Sequence, residues 1–449
     1  MTDCPALHGS GNAIEIDMPT FRANYPVEAA HMMTKRTAAT VVIANALEFF
    51  DYFSYATFIA FINKAFFPHS SSAAGMVYSF GIFAAGFLAR PLGAILIGLH
   101  ADSAGRKPAL LLTSLLITIG TLGVAAVPGY STIGLAAPTL VLLCRLVQGV
   151  AIGGEMGVSA SLMMESCPPQ RQSWYAGWLM AGQGLALIAS GLCGMAIVQV
   201  LPPAEVERWG WRLPFALATA IVPLQYLLRR HIKEDWRKPT TVLPVRTYTS
   251  GHGRQWLIAL LLIFGGTVPT YMAAYTAAFG VGGAVPTAKL TATATMLVGL
   301  ISVVASVAGG WLADHFGNSR IIALSRVMTM IVVFPAFRFA ASAGSDSSLL
   351  AAIMLFAGLS MAGGGPAIVE ILRMFPERQR ALSLSLVYSV GVALFGGTAP
   401  LIVASLNLWA GSHYAPTWYI LLACVASLFA LLLLAGSRSE SAIHPAQTN

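Results

Sequence analysis

Polar positions are rare in this chain and come in short clusters, separating apolar blocks of about twenty residues. A half-buried strand would alternate apolar and polar residues, and a surface helix would show a stripe every three or four. Unbroken blocks of this length instead fit helices that cross a bilayer, each needing roughly 20 apolar residues. About twelve blocks occur, centred near residues 50, 86, 118, 148, 186, 221, 267, 300, 330, 360, 394 and 424. They form six, a break, and six more. The break, "KEDWRKPTTVLPVRTYTSGHGR" at 233–254, is polar, basic and broken by Pro and Gly, as a linker would be. The pattern predicts an all-α membrane protein. A tail at 1–35 and a six-helix bundle at 36–232 precede the linker at 233–254. A second six-helix bundle at 255–437 and a tail at 438–449 follow it.

Composition supports this. Hydrophobic residues make up 56% of the 449-residue chain and charged residues 10%, with a mean hydropathy of +0.72. Soluble domains carry about 25% charged residues, so this chain cannot cover a water-facing surface. The net charge is +8, and its distribution predicts orientation. With the N-terminus inside, Lys35, Arg36, Arg106, Lys107, Arg171, the linker cluster, Arg320, Arg373, Arg378, Arg380 and Arg438 fall on the cytoplasmic side. Only Lys64, Arg208, Arg212 and Lys289 fall outside. Positive charge concentrates on cytoplasmic loops, so both termini are placed inside a cell inner (plasma) membrane. Charges spread over many short loops also argue against a nucleic-acid partner.

Five cysteines (Cys4, Cys144, Cys167, Cys193 and Cys424) show no metal-ligand spacing and predict no disulfide framework. The first 35 residues lack a basic start followed by an apolar core, so no cleaved signal peptide is expected. No cofactor motif is present.

The two halves echo each other. "GLHADSAGRKP" (98–108) and "GWLADHFGNSR" (310–320) share Gly98, Asp102 and Gly105 as Gly310, Asp314 and Gly317, each between the second and third block of its half. Transporters with such parallel repeats bind substrate near the midplane, between the halves. The pattern G-x-x-x-D-x-x-G-R-K resembles the signature loop of the major facilitator superfamily. "NALEFFDYF" (45–53), "FLARPLGAILIG" (87–98), "RLVQGVAIGGEMG" (145–157), "WGWRLPF" (209–215) and "LFGGTAP" (394–400) resemble its metabolite:proton symporter family. "PGYSTIGLAAPTLVLLCRLVQG" (128–149), "TYMAAYT" (270–276) and "TMLVGL" (295–300) look most like the citrate–proton symporters, whereas Gly153–Glu155 fits the wider family better. The resemblance spans about residues 36–435.

Counting depth at about 1.5 Å per residue places Glu48, Asp51, Arg90, Arg145 and Glu155 in the central slab of the first bundle. An uncompensated charge there costs at least a few kcal/mol, so these groups pair or line a wet cavity. Glu48 and Asp51 share a helical face, and two like charges in a desolvated place favour holding a proton. Glu48, Asp51 and Glu155 are therefore the candidate proton-coupling groups. Arg90 and Arg145 suit carboxylate recognition, because the guanidinium fork matches carboxylate geometry. Asn45, Gln148, Tyr271 and Tyr275 are further candidate substrate contacts. Structural ion pairing is the competing account of the charges, strongest for Arg145, and packing that of the tyrosines. Pro91, Pro366 and Pro400 each follow or adjoin glycines or Arg90, where a kink would permit movement.

Gly98, Asp102, Gly105, Arg106 and Lys107 make the candidate inner gate, with Glu165 as a further partner in the first half. The resemblance implies that Asp102 meets the eleventh helix near Arg378 and Arg380, and that Asp314 meets the fifth near Arg171. The second loop departs from the family pattern. Asn318 and Ser319 stand where basic residues are usual, and Arg373 stands where an acid is usual.

Together these features predict a proton symporter importing a small organic anion, a di- or tricarboxylate such as citrate, as a monomer in the bilayer. Carrying a dianion inward against 100 mV costs about 4.6 kcal/mol, a term that two protons would cancel. The alternatives are a symporter for proline, betaine or a shikimate-like acid, an exporter, or a membrane receptor on the same scaffold. No phosphate loop, His cluster or nucleophile elbow supports an enzyme.

Overall fold

The computed structural model describes residues 35–68, 72–104, 106–165, 167–219, 252–279, 287–343, 345–376, 380–410 and 414–443. Among them are ten helices long and apolar enough to cross a membrane. The first half contains α1 (Lys35–Thr57), α2 (Ser72–Leu88), α3 (Arg90–Ala104), α4 (Arg106–Ala126), α5 (Ala136–Gly153), α6 (Glu155–Glu165) and α7 (Gln172–Val200). Residues 213–219 begin a further helix at the sixth predicted position. The second half contains α8 (Gly253–Phe279), α9 (Ala288–Phe316), α10 (Asn318–Ala343), α11 (Asp346–Ala362), α12 (Gly364–Arg373), α13 (Arg380–Gly391), α14 (Ala399–Ala410) and α15 (Ala415–Ile443). A π-helical segment, Val392–Gly397, joins α13 to α14. This is the twelve-helix, two-bundle arrangement that the apolar blocks predict.

Two boundaries differ from the sequence expectation. The second half begins at Gly253 and not at 255, because Trp256 N–H already bonds the His252 carbonyl at 3.0 Å. The last helix continues to Ile443, past the expected end at 437. Most of the expected linker lies outside the described residues, as does the whole N-terminal tail up to residue 34.

Large apolar side chains on the outside explain the hydropathy. Leu88, Leu92 and Leu96, four apart along α2 and α3, are all about half exposed, as are Leu115, Ile119 and Leu122 on α4. Such stripes are unfavourable in water and suit lipid.

The bundles touch along a seam of α7 against α9. A Cβ on Gly184 would stand 2.9 Å from the Gly299 carbonyl oxygen, and one on Gly299 would stand 2.6 Å from that of Gly184. Only glycine permits this approach of the two backbones. At one end, Asp314 accepts from the Ser173 and Trp174 backbone N–H groups, both at 2.9 Å, and so caps the start of α7. Ser173 Oγ donates to Asn318 Oδ1 at 2.7 Å, and Arg373 Nη2 donates to Gln172 Oε1 at 2.9 Å. Thus Asn318 and Arg373, the departures from the family pattern, reach across to the other bundle. At the opposite end, Phe80 packs on Tyr275 and Phe87 on Tyr271, with ring centroids 5.7 and 5.4 Å apart. These contacts join the two bundles on both sides of the seam.

Candidate functional site

Four helix breaks converge at mid-depth. The α2–α3 break falls at Ala89, just before Arg90 and Pro91; proline lacks the N–H that would continue the ladder. The α5–α6 break falls at Gly154, leaving Glu155 as the first residue of a new helix, where a carboxylate meets the positive end of the dipole. The α11–α12 break falls at Gly363. The π segment follows Tyr388 and Ser389. Broken helices expose backbone carbonyls that need partners, and the second half supplies two. Ser389 Oγ donates to the Gly153 carbonyl at 2.7 Å, and Ser385 Oγ to that of Gly154 at 3.2 Å.

Around these breaks the predicted residues separate into two groups. Asn45, Glu48, Phe49, Arg90, Glu155, Tyr388 and Ser389 line one small cleft. Its charged groups come from α1, α3 and α6, while Tyr388 and Ser389 close it from the second half. The Arg90 guanidinium carbon stands 3.9 Å from the Phe87 ring centroid and 4.9 Å from that of Tyr52, contacts that favour a cation and hold its plane. Its Nε and Nη2 have no hydrogen-bond partner among the described residues.

Asp51, Arg145 and Gln148 form the second group. Arg145 Nη1 meets Asp51 Oδ2 at 2.9 Å, with both side chains essentially inaccessible. Gln148 Nε2 donates to the same oxygen at 2.7 Å and to Thr121 Oγ1 at 2.8 Å. The Arg145 guanidinium also lies 4.1 Å from the Tyr55 ring centroid. This group ties α1 to α5 and α4 and does not share the cleft with Glu48.

Tyr271 lines a neighbouring, larger cleft walled by α7, α8, α10, α11, α12 and α13. Tyr275, one turn on, packs instead on Phe80. Two lining residues were not singled out from sequence: Tyr388, which lines both clefts and accepts a 3.4 Å bond from Gln183, and the buried Arg326. The signal for Arg326 was available, since it is an ionisable residue inside an apolar block.

Of the gate residues, Asp314 caps α7 beside the exposed Arg171, Arg380 Nε donates to the Phe375 carbonyl at 3.2 Å, and Gly98 packs on Leu382 of α13. Gly105 and Arg378, and the side chains of Asp102, Arg106, Lys107 and Glu165, lie outside the described residues. Among the described residues no cluster of three or more His, Cys, Asp or Glu could hold a metal.

Known proteins share this architecture. The chain is 30% identical over 404 residues to the citrate-proton symporter of Salmonella typhi, covering 88% of this chain and 92% of that one. It is 32% identical over 405 residues to the alpha-ketoglutarate permease of Escherichia coli K12, covering 87% and 91%. The solved xylose transporter XylE of E. coli, in a partially occluded inward-open conformation, superposes with a TM-score of 0.70 at 16% identity, covering 89% of this chain and 97% of that chain. Residues 41–369 match the family described as the Major Facilitator Superfamily. A broken-helix cleft between two lipid-clad bundles is the arrangement of a carrier and not of an enzyme, and the chain belongs to the major facilitator superfamily of membrane transporters.

Proposed function

We propose that this protein is a proton-coupled symporter that imports a small organic anion, a di- or tricarboxylate, across the inner membrane, working as a single chain with both termini cytoplasmic. One observation carries the reading. Two carboxylates, Glu48 and Glu155, and one arginine, Arg90, line the same small cleft from three different helices, with the second bundle closing it. The names of its relatives, the citrate-proton symporter and the alpha-ketoglutarate permease, point to the same cargo class.

The groups divide the work by charge. An ionised Glu48 or Glu155 competes with an incoming carboxylate for the Arg90 field. Proton uptake removes that competition and leaves the Arg90 fork open to the cargo. With proton and anion both aboard, the cleft holds less net charge, and the bundles can rock past the α7–α9 seam. Release of the proton on the other side restores the competition and expels the anion. Asn45 supplies a neutral hydrogen bond to orient the cargo. The Asp51–Arg145–Gln148 group holds α1 against α5, so the cleft keeps its shape as the bundles move.

The test is uptake by proteoliposomes of labelled citrate, α-ketoglutarate, shikimate and betaine, with and without an imposed pH gradient. Citrate or α-ketoglutarate is expected to accumulate when the outside is acidic, and a protonophore is expected to abolish this. Accumulation of shikimate or betaine alone, or accumulation indifferent to the pH gradient, overturns the reading.

A further inference from the structure

Arg326 is completely buried on α10. Its contacts differ from those of the other two buried arginines. Arg145 has a carboxylate at 2.9 Å. Arg90 shares its cleft with Glu48 and Glu155. Arg326 meets only neutral groups. Nη1 donates weakly to Ser325 Oγ at 3.4 Å, to the Ser360 carbonyl at 3.3 Å and to Ser360 Oγ at 3.5 Å. Nε and Nη2 have no hydrogen-bond partner among the described residues. A buried guanidinium with neutral neighbours only is a costly arrangement for a structural role, since a nearby carboxylate would stabilise it and none is paired with it among the described residues.

The route of the side chain explains where the missing charge belongs. Arg326 starts on a helix that contributes nothing else to the larger cleft, and its guanidinium reaches the cleft wall. It does so past Gly266 on α8 and Gly363 at the α11–α12 break. A Cβ at Gly266 would meet the Arg326 Nη2 at 3.2 Å and nothing else, and one at Gly363 would meet it at 3.4 Å. At Gly363 that Cβ would meet Ser325 Oγ first, at 2.9 Å, so it is the bare backbone at Gly266 against which the guanidinium tip lies most directly, still closed to solvent. The larger cleft adjoins the Arg90 cleft, because Tyr388 lines both.

We propose that Arg326 is the second anchor of the anion site, and that the cargo is a dianion with one carboxylate for Arg90 on the first bundle and another for Arg326 on the second. The inference rests on the carboxylate reading above and narrows it. A monocarboxylate or a betaine would leave one buried cation uncompensated, whereas a di- or tricarboxylate neutralises both and bridges the two bundles.

The experiment uses the full chain in proteoliposomes and inhibits uptake of labelled citrate or α-ketoglutarate with glutarate and with glutarate monoamide, which keeps the shape and removes one charge. Wild type is expected to bind glutarate at least about tenfold better than the monoamide, since losing a charged hydrogen-bond partner in a buried site costs that much. In Arg326→Gln the two inhibitors should become equal within a few-fold. Arg326→Lys should keep part of the preference, as a point charge without the fork. Gly266→Ala, whose added methyl meets only the guanidinium tip, should weaken the preference while the protein inserts and unfolds like wild type. It therefore reports even if Arg326→Gln fails to fold. A wild-type preference retained in Arg326→Gln, or in Gly266→Ala should Arg326→Gln not fold, overturns the inference and leaves the carboxylate reading standing. So does a wild type that does not distinguish the two inhibitors. A wild type that takes up neither labelled acid overturns the carboxylate reading itself, and this inference with it.

Discussion

Arg145 and Asp51 meet at 2.9 Å in a part of the first bundle closed to solvent, so their charges answer each other and not the cleft. Removing one partner of a buried pair strands the other and costs about 3–5 kcal/mol, whereas replacing both with apolar groups of similar size is often neutral. Asp51→Leu and Arg145→Met should each lower the thermal unfolding temperature of the detergent-purified protein sharply. The double variant should recover most of the loss and still accumulate substrate under a pH gradient. A stable double variant with no pH-driven accumulation would return Asp51 to the proton path.

Glu48 and Glu155 should carry the coupling proton. Glu48→Gln and Glu155→Gln mimic the protonated acid, so at least one should exchange internal for external substrate at near wild-type rates while losing uphill accumulation. Wild-type uptake should rise as the outside is acidified, because the proton is loaded there, and the uncoupled variant should show a flat profile. Counterflow and pH-jump uptake in the same vesicles separate the two outcomes. Accumulation intact in both variants would refute the assignment.

Arg90→Lys keeps the charge but loses the fork and the stacking on Phe87 and Tyr52. The apparent KM for the carboxylate should rise about tenfold or more, in line with the loss of a charge-assisted bidentate contact, with unchanged membrane insertion. An unchanged KM would place the first anion contact elsewhere.

Asp314 holds the start of α7 through two backbone N–H groups. Cys167, buried near that end, reports on it. Burial, with the nearby Asp314 charge adding to it, pushes its thiol up to about 11, so almost none is thiolate near neutral pH. In a variant whose only cysteine is Cys167, maleimide labelling should be slow. Asp314→Ala removes the cap, worth about 1 kcal/mol, and should speed labelling several-fold by opening this end. Comparing its labelling across pH separates the lost charge from opening. Labelling unaltered by Asp314→Ala would mean that the cap does not hold the closed form.

Much of the frame was legible in the chain because bilayer thickness imposes it. Twelve apolar blocks, the break after the sixth and the repeated loop follow from lengths and composition. Counting depth also put Glu48, Asp51, Arg90, Arg145 and Glu155 in one central slab. What counting could not resolve was azimuth. Glu48 and Asp51, three residues apart, differ by only about 60° around the helix, and that angle sends one to the cleft and the other to Arg145. Nor could depth reveal which wall Arg326 joins, because its guanidinium tip lies against the bare backbone of Gly266 on another helix. In the sequence Asn318 and Arg373 showed only as departures from the family pattern. Their contacts with Ser173 and Gln172 depend on the other half of the molecule.

Tyr388 stands where the two clefts adjoin. Both carboxylates and the arginine of the first cleft come from the N-terminal half, while the larger cleft is lined mostly by the C-terminal half, joined by Met180 and Gln183. On the proposed reading, the coupling carboxylates are written in the first half of the gene, while the cargo is held from both halves. A lineage built on this frame can drift to a new nutrient by altering the wall around Arg326 and leave its energy source untouched.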